Sequence, residues 1–143
     1  QYVETGVLSP RHSDVIKDAV RKHRNILVIG GTGSGKTTLI NAIINEMVRS
    51  DPDERIFILE DTGEIQCAAE NFVQYHTTLD VDMTQLLKTT LRMRPDRILV
   101  GEVRGAEALD LLVHITRTPH GRKIQQIIEV QGFKRGSYQI KKL

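Results

Sequence analysis

The chain has 143 residues, 39% of them hydrophobic and 27% charged, the composition of one soluble globular domain with an ordinary core. Twenty basic against 18 acidic side chains leave a formal net charge of +2, too even a balance for a protein whose main partner is nucleic acid. No direct sequence-specific nucleic-acid binding is expected. The single cysteine, Cys67, excludes an internal disulfide and a paired-thiol metal site and fits a reducing cytoplasm, while no apolar stretch approaches the ~18 residues that span a bilayer. A start at Gln1, without an initiating Met or the parts of a signal peptide, predicts a fragment of a longer protein.

Ser9 caps a predicted helix over 10–23, with Pro10 in its first turn and Val15, Ile16, Ala19 and Val20 on one face. Asn25 to Ile29 is a short β-branched run ending in glycine, the pattern of a strand buried on both faces of a parallel sheet. From Lys36 to Val48, Leu39, Ile40, Ile43, Ile44 and Met47 recur at helical spacing, and Arg55 to Leu59 reads as the next strand. Phe72 to Tyr75 is a weaker strand, and Thr84 to Met93 a helix with Leu86, Leu87 and Leu91 facing inward, stopped by Pro95. Arg97 to Val100 repeats the buried-strand pattern, and Ala106 to Leu112 is helical. Thereafter the pattern alternates: Val113 to Arg117 and Ile124 to Val130 form a hairpin about Thr118-Pro119-His120-Gly121, with Tyr138 to Leu143 as a further strand after a turn over Gly132 to Gly136. The fold class is therefore α/β, a mainly parallel sheet flanked by helices, with a C-terminal β-hairpin.

Gly30 to Thr37, Gly-Gly-Thr-Gly-Ser-Gly-Lys-Thr, satisfies G-x4-G-K-[ST] between a predicted strand and a predicted helix, which is the context a P-loop requires. Glycines let the backbone curl so that successive N–H groups meet phosphate oxygens at the positive end of a helix dipole. Gly31, Thr32, Gly33, Ser34, Gly35, Lys36, Thr37 and Thr38 are the predicted nucleotide-binding residues, Lys36 for the β- and γ-phosphates and Thr37 for Mg²⁺. The cofactors are ATP and Mg²⁺. The alternative is a glycine-rich turn that only joins a strand to a helix.

Such a loop needs carboxylates for the metal and the attacking water. Glu64 follows the strand after the loop helix, and Glu102 follows the apolar run 97–100 in a Walker-B-like position usually held by aspartate. Arg92, Arg94, Arg97 and Arg104 bracket that run, and Arg92, Arg94 and Arg104 are the candidates for phosphate or interface contacts. The opposing reading pairs these arginines with Asp96, Glu102 or Glu107, and treats the two glutamates as solvated loop acids. The five histidines show no metal-ligand spacing, Cys67 reads as a small buried hydrophobe, and Lys134, Arg135, Lys141 and Lys142 as a solvated edge.

Together, the glycine loop, Leu59-Glu60-Asp61-Thr62-Gly63-Glu64 and the run Leu91 to Gly105 with its Gly-Glu-Val-Arg-Gly resemble the RecA-like secretion ATPase superfamily, and within it the TrbB-type conjugal transfer branch. The second and third blocks are similar to that family's Asp box and Walker B box. The resemblance implies a homohexameric ring, peripheral at the cytoplasmic face of the inner membrane, with secretion or conjugation proteins as partners. It implies ATP hydrolysis coupled to assembly of a type IV secretion apparatus or pilus, with Lys36, Glu64 and Glu102 as catalytic residues and Thr37 and Glu102 on the metal side. The chain departs from the family in lacking its amino-terminal domain and its His box. Leu112 runs directly into Val113, so an internal segment is expected to be missing near 112–113. A nucleotide-binding assembly module without turnover is the competing reading, and a metabolic P-loop kinase a third.

Overall fold

The computed structural model describes residues 2–102, 110–134 and 137–143. They form α1 (Pro10–Arg21), β1 (Ile26–Ile29), α2 (Lys36–Ser50), β2 (Ile56–Glu60), β3 (Phe72–His76), α3 (Met83–Leu91), β4 (Arg97–Val100), β5 (Leu111–Thr118), β6 (Gly121–Lys134) and β7 (Ser137–Lys142). The chain divides into two compact units, 1–43 with 107–143 and 44–106, and α2 passes from the first into the second.

In the first unit a four-stranded sheet has the order β1-β5-β6-β7. β1 and β5 are parallel, with Ile26 opposite Leu111 and Ile29 opposite His114; β5, β6 and β7 are antiparallel neighbours. Asp110 sets the β1–β5 register, since its carboxylate accepts from the Asn25 amide at 2.8 Å and its own amide donates to the Asn25 carbonyl at 3.0 Å. The Ser9 hydroxyl caps α1 by accepting from the His12 amide, so the helix begins at Pro10 and lays Ile16, Ala19 and Val20 into the core. Leu39, Ile43, Leu111, Val113, Ile115, Ile124 and Ile127 are buried with them. The alternation of Leu111, Val113 and Ile115 is the period of a half-covered strand.

The second unit holds a parallel sheet of order β3-β2-β4. All five residues of β2 are buried, and α3 packs on it. A capping box starts α3 at Met83: the Asp82 carboxylate accepts from the Gln85 amide, and the Gln85 side chain accepts from the Asp82 amide. Beneath the sheet's start Arg97 and Glu54 form a buried ion pair, with Nη2 2.8 Å from Oε1 and a second bond from Nε to Oε2.

Several expectations need correction. The described residues form two sheets, one mixed and one all-parallel, in place of one mainly parallel sheet. β1 is Ile-Leu-Val-Ile yet half-buried at every position, because it stands at the edge of its sheet among the described residues; β4, at an edge of the other, is half-buried from Ile98 to Val100. Leu111 and Leu112 belong to β5, not to a helix, and the remainder of that expected helix, 106–109, lies outside the described residues. β5 runs unbroken through Leu112 and Val113, so no boundary between elements falls there. Leu91 is 60% exposed while Thr90 is buried, because the covered face of α3 passes through Leu86 and Thr90, four residues apart. Cys67 is half-buried, and β6 continues through Gly132 to Lys134, past the expected start of the last turn.

Candidate functional site

The glycine-rich loop joins the end of β1 to the first turn of α2. Gly33 and Gly35 have φ of +70° and +97°, a region that only glycine enters without strain, so the loop's sharp return depends on them. Gly30 is needed for a different reason: a methyl group there would meet the Ile115 carbonyl oxygen at 2.4 Å and Ser34 Oγ at 2.5 Å. The loop is thus pressed against β5, and Ser34 is 2% exposed. A turn bond from the Ser34 amide to the Gly31 carbonyl and the first helical bond, Leu39 to Gly35, close the curve. Lys36, half-buried, donates from Nζ to the Gly30 and Gly31 carbonyls, both at 3.0 Å, which holds the ammonium on the loop. Thr37 is half-buried, Thr38 exposed. Such a curl of backbone with a cation fixed at it and a helix start behind it suits an oxyanion ligand.

The second unit gathers its acids at one edge of the sheet. β2 and β4 are parallel, so Glu60 with the 61–65 segment and Gly101-Glu102 leave the same end. Glu60, only 3% exposed, organises that end: Oε2 accepts from the amides of Glu64 at 3.1 Å and Ile65 at 3.2 Å, Oε1 accepts from the Gln74 side chain, and His76 Nε2 stands 3.7 Å away. Gly101 donates to the Leu59 carbonyl at 2.7 Å, and a methyl group on it would meet Glu60 Cβ at 2.8 Å, so glycine lets β4 close on β2 here. Glu64 and Glu102 are both exposed.

A family model described as type II/IV secretion system protein matches residues 1–123. The chain belongs to that family. The secretion-family chain is 40% identical to a probable conjugal transfer protein TrbB of Sinorhizobium fredii over an alignment of 188 positions, gaps included, which takes in 97% of this chain and 58% of the relative. It is 46% identical over 107 residues to the type IV secretion system protein PtlH of Bordetella pertussis, covering 69% of this chain and 31% of PtlH. It thus spans little more than half of the curated TrbB relative. Among solved structures, the VirB11 ATPase of the Brucella suis type IV secretion system, crystallised with sulphate, superimposes with a TM-score of 0.74 at 24% identity. That match covers 82% of this chain and 51% of the VirB11 chain, and it establishes the α/β fold.

Within this secretion-family fold, Gly31 to Thr38 come together in the first unit, and Glu64 and Glu102 share a sheet edge in the second. Arg92 is the C-cap of α3 and Arg94 follows it with φ of +54°; both are exposed. Arg104 lies outside the described residues. Arg97 pairs with Glu54, an acid the sequence reading did not offer it, and Glu107 lies outside the described residues. Sequence reasoning overlooked Glu60 as the organiser of the acidic edge, although a glutamate closing an apolar strand was a signal for it. It also passed over Arg117 and Arg122, which face each other across the β5–β6 hairpin. Among the described residues no helix is long and apolar enough to cross a membrane.

Proposed function

We propose that the chain is the nucleotide-binding domain of an ATP-hydrolysing motor of a conjugal transfer or type IV secretion system. The observation that carries this is the Gly30–Thr37 P-loop between β1 and α2, with Lys36 held at its carbonyls and glycines where a side chain would strain or fill the curl. The loop suits Mg-ATP, with Gly31 to Thr38 for the phosphates and Thr37 for the metal; Glu102, in the second unit, is assigned to the metal side on the family resemblance alone. When bound, the metal would offset phosphate charge. Glu64, held by the Glu60 carboxylate, orients or deprotonates the attacking water. The TrbB and PtlH likenesses support a secretion role; the hexameric ring peripheral at the inner membrane, with inner-membrane secretion proteins as partners, is proposed on the family resemblance of the sequence motifs.

The domain reads as internally shortened. The TrbB match spans 188 aligned positions while this chain has 143 residues, so 188 less 143 leaves 45 positions or more filled by the relative alone. Among the described residues β1 and β4 are half-buried sheet edges, which supports the same reading, because parallel strands of such apolar sequence are ordinarily paired on both sides. β5 spans the expected site of shortening at 112–113, so a shortening ahead of that strand is the version of this reading we propose. This favours, as a second reading, a module that binds ATP without turning it over.

Steady-state ATPase activity against protein concentration separates the two. A motor gives specific activity that rises as the ring assembles and is abolished by Lys36→Ala. Nucleotide binding without turnover at any concentration leaves the module, and no nucleotide binding at all removes both.

A further inference from the structure

The β5–β6 hairpin brings two arginines to the glycine-rich loop from within the same chain. A methyl group built on Gly35 would lie 2.7 Å from Arg122 Cδ, 3.0 Å from Nε and 3.4 Å from Cζ, so the side chain of Arg122 runs directly against the loop backbone one residue before Lys36. The corresponding position on Gly33 is 3.9 Å from Arg117 Nη1. Arg117 and Arg122 are register partners across the hairpin, and both are exposed. Like charges directly opposite in an antiparallel pair repel, and Lys36 adds a third cation to the same loop. Among the described residues, neither guanidinium has a carboxylate within 4.0 Å; the ion pairs these residues form lie elsewhere. Tyr2, whose ionisation Arg122 would favour, does not neutralise it, because burial outweighs that charge and raises the phenol's pKa.

Three cations around a curl of backbone, with no carboxylate partner among the described residues, match a ligand carrying several negative oxygens. We propose that Arg117 and Arg122 are phosphate-binding residues of this loop acting in cis, their guanidiniums meeting the polyphosphate oxygens that Lys36 also holds. Guanidinium forks suit this role, since each presents parallel N–H donors to a phosphate. The proposal rests on the P-loop reading above, and it adds the hairpin arginines to the candidates for phosphate contact.

The test is calorimetric titration of the full chain with Mg-ATP and, separately, with inorganic triphosphate, which has phosphate chemistry but no base or ribose. Wild type, Lys36→Ala, Arg117→Ala, Arg122→Ala, Arg122→Lys and Arg122→Gln are compared, each checked for an unchanged melting temperature. Arg122→Ala and Arg117→Ala should each weaken both ligands by about tenfold to a hundredfold, the range of a lost charge-assisted hydrogen bond. Arg122→Gln, which keeps a stem over Gly35, should lose as much as the alanine variant, and Arg122→Lys less. Binding by wild type that Lys36→Ala destroys but Arg122→Gln and Arg117→Ala leave unchanged would overturn the proposal while the P-loop stands. Loss with Mg-ATP but not with inorganic triphosphate would overturn it too, by moving the contact to the base or ribose. Absence of binding by wild type itself would remove the P-loop reading and this one with it.

Discussion

Replacing Glu60 by glutamine keeps the shape of the side chain and removes its charge, and the local hydrogen bonding sets the cost. The carboxylate serves two sets of donors, the Glu64 and Ile65 amides on Oε2 and the Gln74 amide nitrogen on Oε1. A glutamine presents one oxygen and one NH₂. With the oxygen toward the loop, the NH₂ meets Gln74 Nε2 head on; reversed, it faces the two backbone amides. Flipping Gln74 does not help, because its nitrogen also donates to the Ile65 carbonyl at 3.2 Å. Each arrangement therefore leaves at least one inward-facing donor or acceptor unmet, at a cost of ~1–3 kcal/mol, and the surviving bonds lose charge assistance worth about 1 kcal/mol each. Relief from burying a charge at a site 3% exposed offsets part of this. The expected net loss is ~2–3 kcal/mol of unfolding free energy. Urea denaturation measures it, and hydrogen exchange at the Glu64 and Ile65 amides locates it. A change within ~0.5 kcal/mol together with unaltered exchange at those amides would refute the reasoning.

Glu64→Gln should retain ATP while turnover falls by about a hundredfold or more, the range of general acid–base assistance; equal loss of binding in a nucleotide titration would make Glu64 structural. Gly30→Ala should destabilise the first unit by ~1–3 kcal/mol, since the obstructing atom at 2.4 Å is the Ile115 backbone carbonyl, and a melting temperature equal to wild type would show that β5 yields easily. Glu54→Ala leaves Arg97 buried without its partner and should cost ~3–5 kcal/mol, read from chemical denaturation; restoration in Glu54→Ala with Arg97→Met would confirm that the stranded charge is the cause.

What the sequence determined by itself was local. Glycines at fixed offsets before Lys36-Thr37, an apolar run ahead of them and a 3.6-residue period behind them specify β1, the loop and α2, because turn geometry and amphipathic faces depend on residues a few places apart. The same logic placed the β5–β6 turn and the acids after β2 and β4. Strand pairing is not local. An Ile-Leu-Val-Ile segment reads the same at the centre of a sheet as at its edge, and only the tertiary structure showed that, among the described residues, β1 and β4 stand at edges of two sheets, half-buried. The Arg97 partner is 43 positions away in Glu54, and the Arg122 stem crosses 87 positions of sequence to lie on Gly35. No periodicity carries such separations. Charge and residue type allowed Arg97 several acids and gave Arg122 no reason to be noticed. Burial chose Glu54, since a guanidinium 8% exposed must have its carboxylate beside it, and the hairpin's parallel seat against β1 brought Arg122 to the loop.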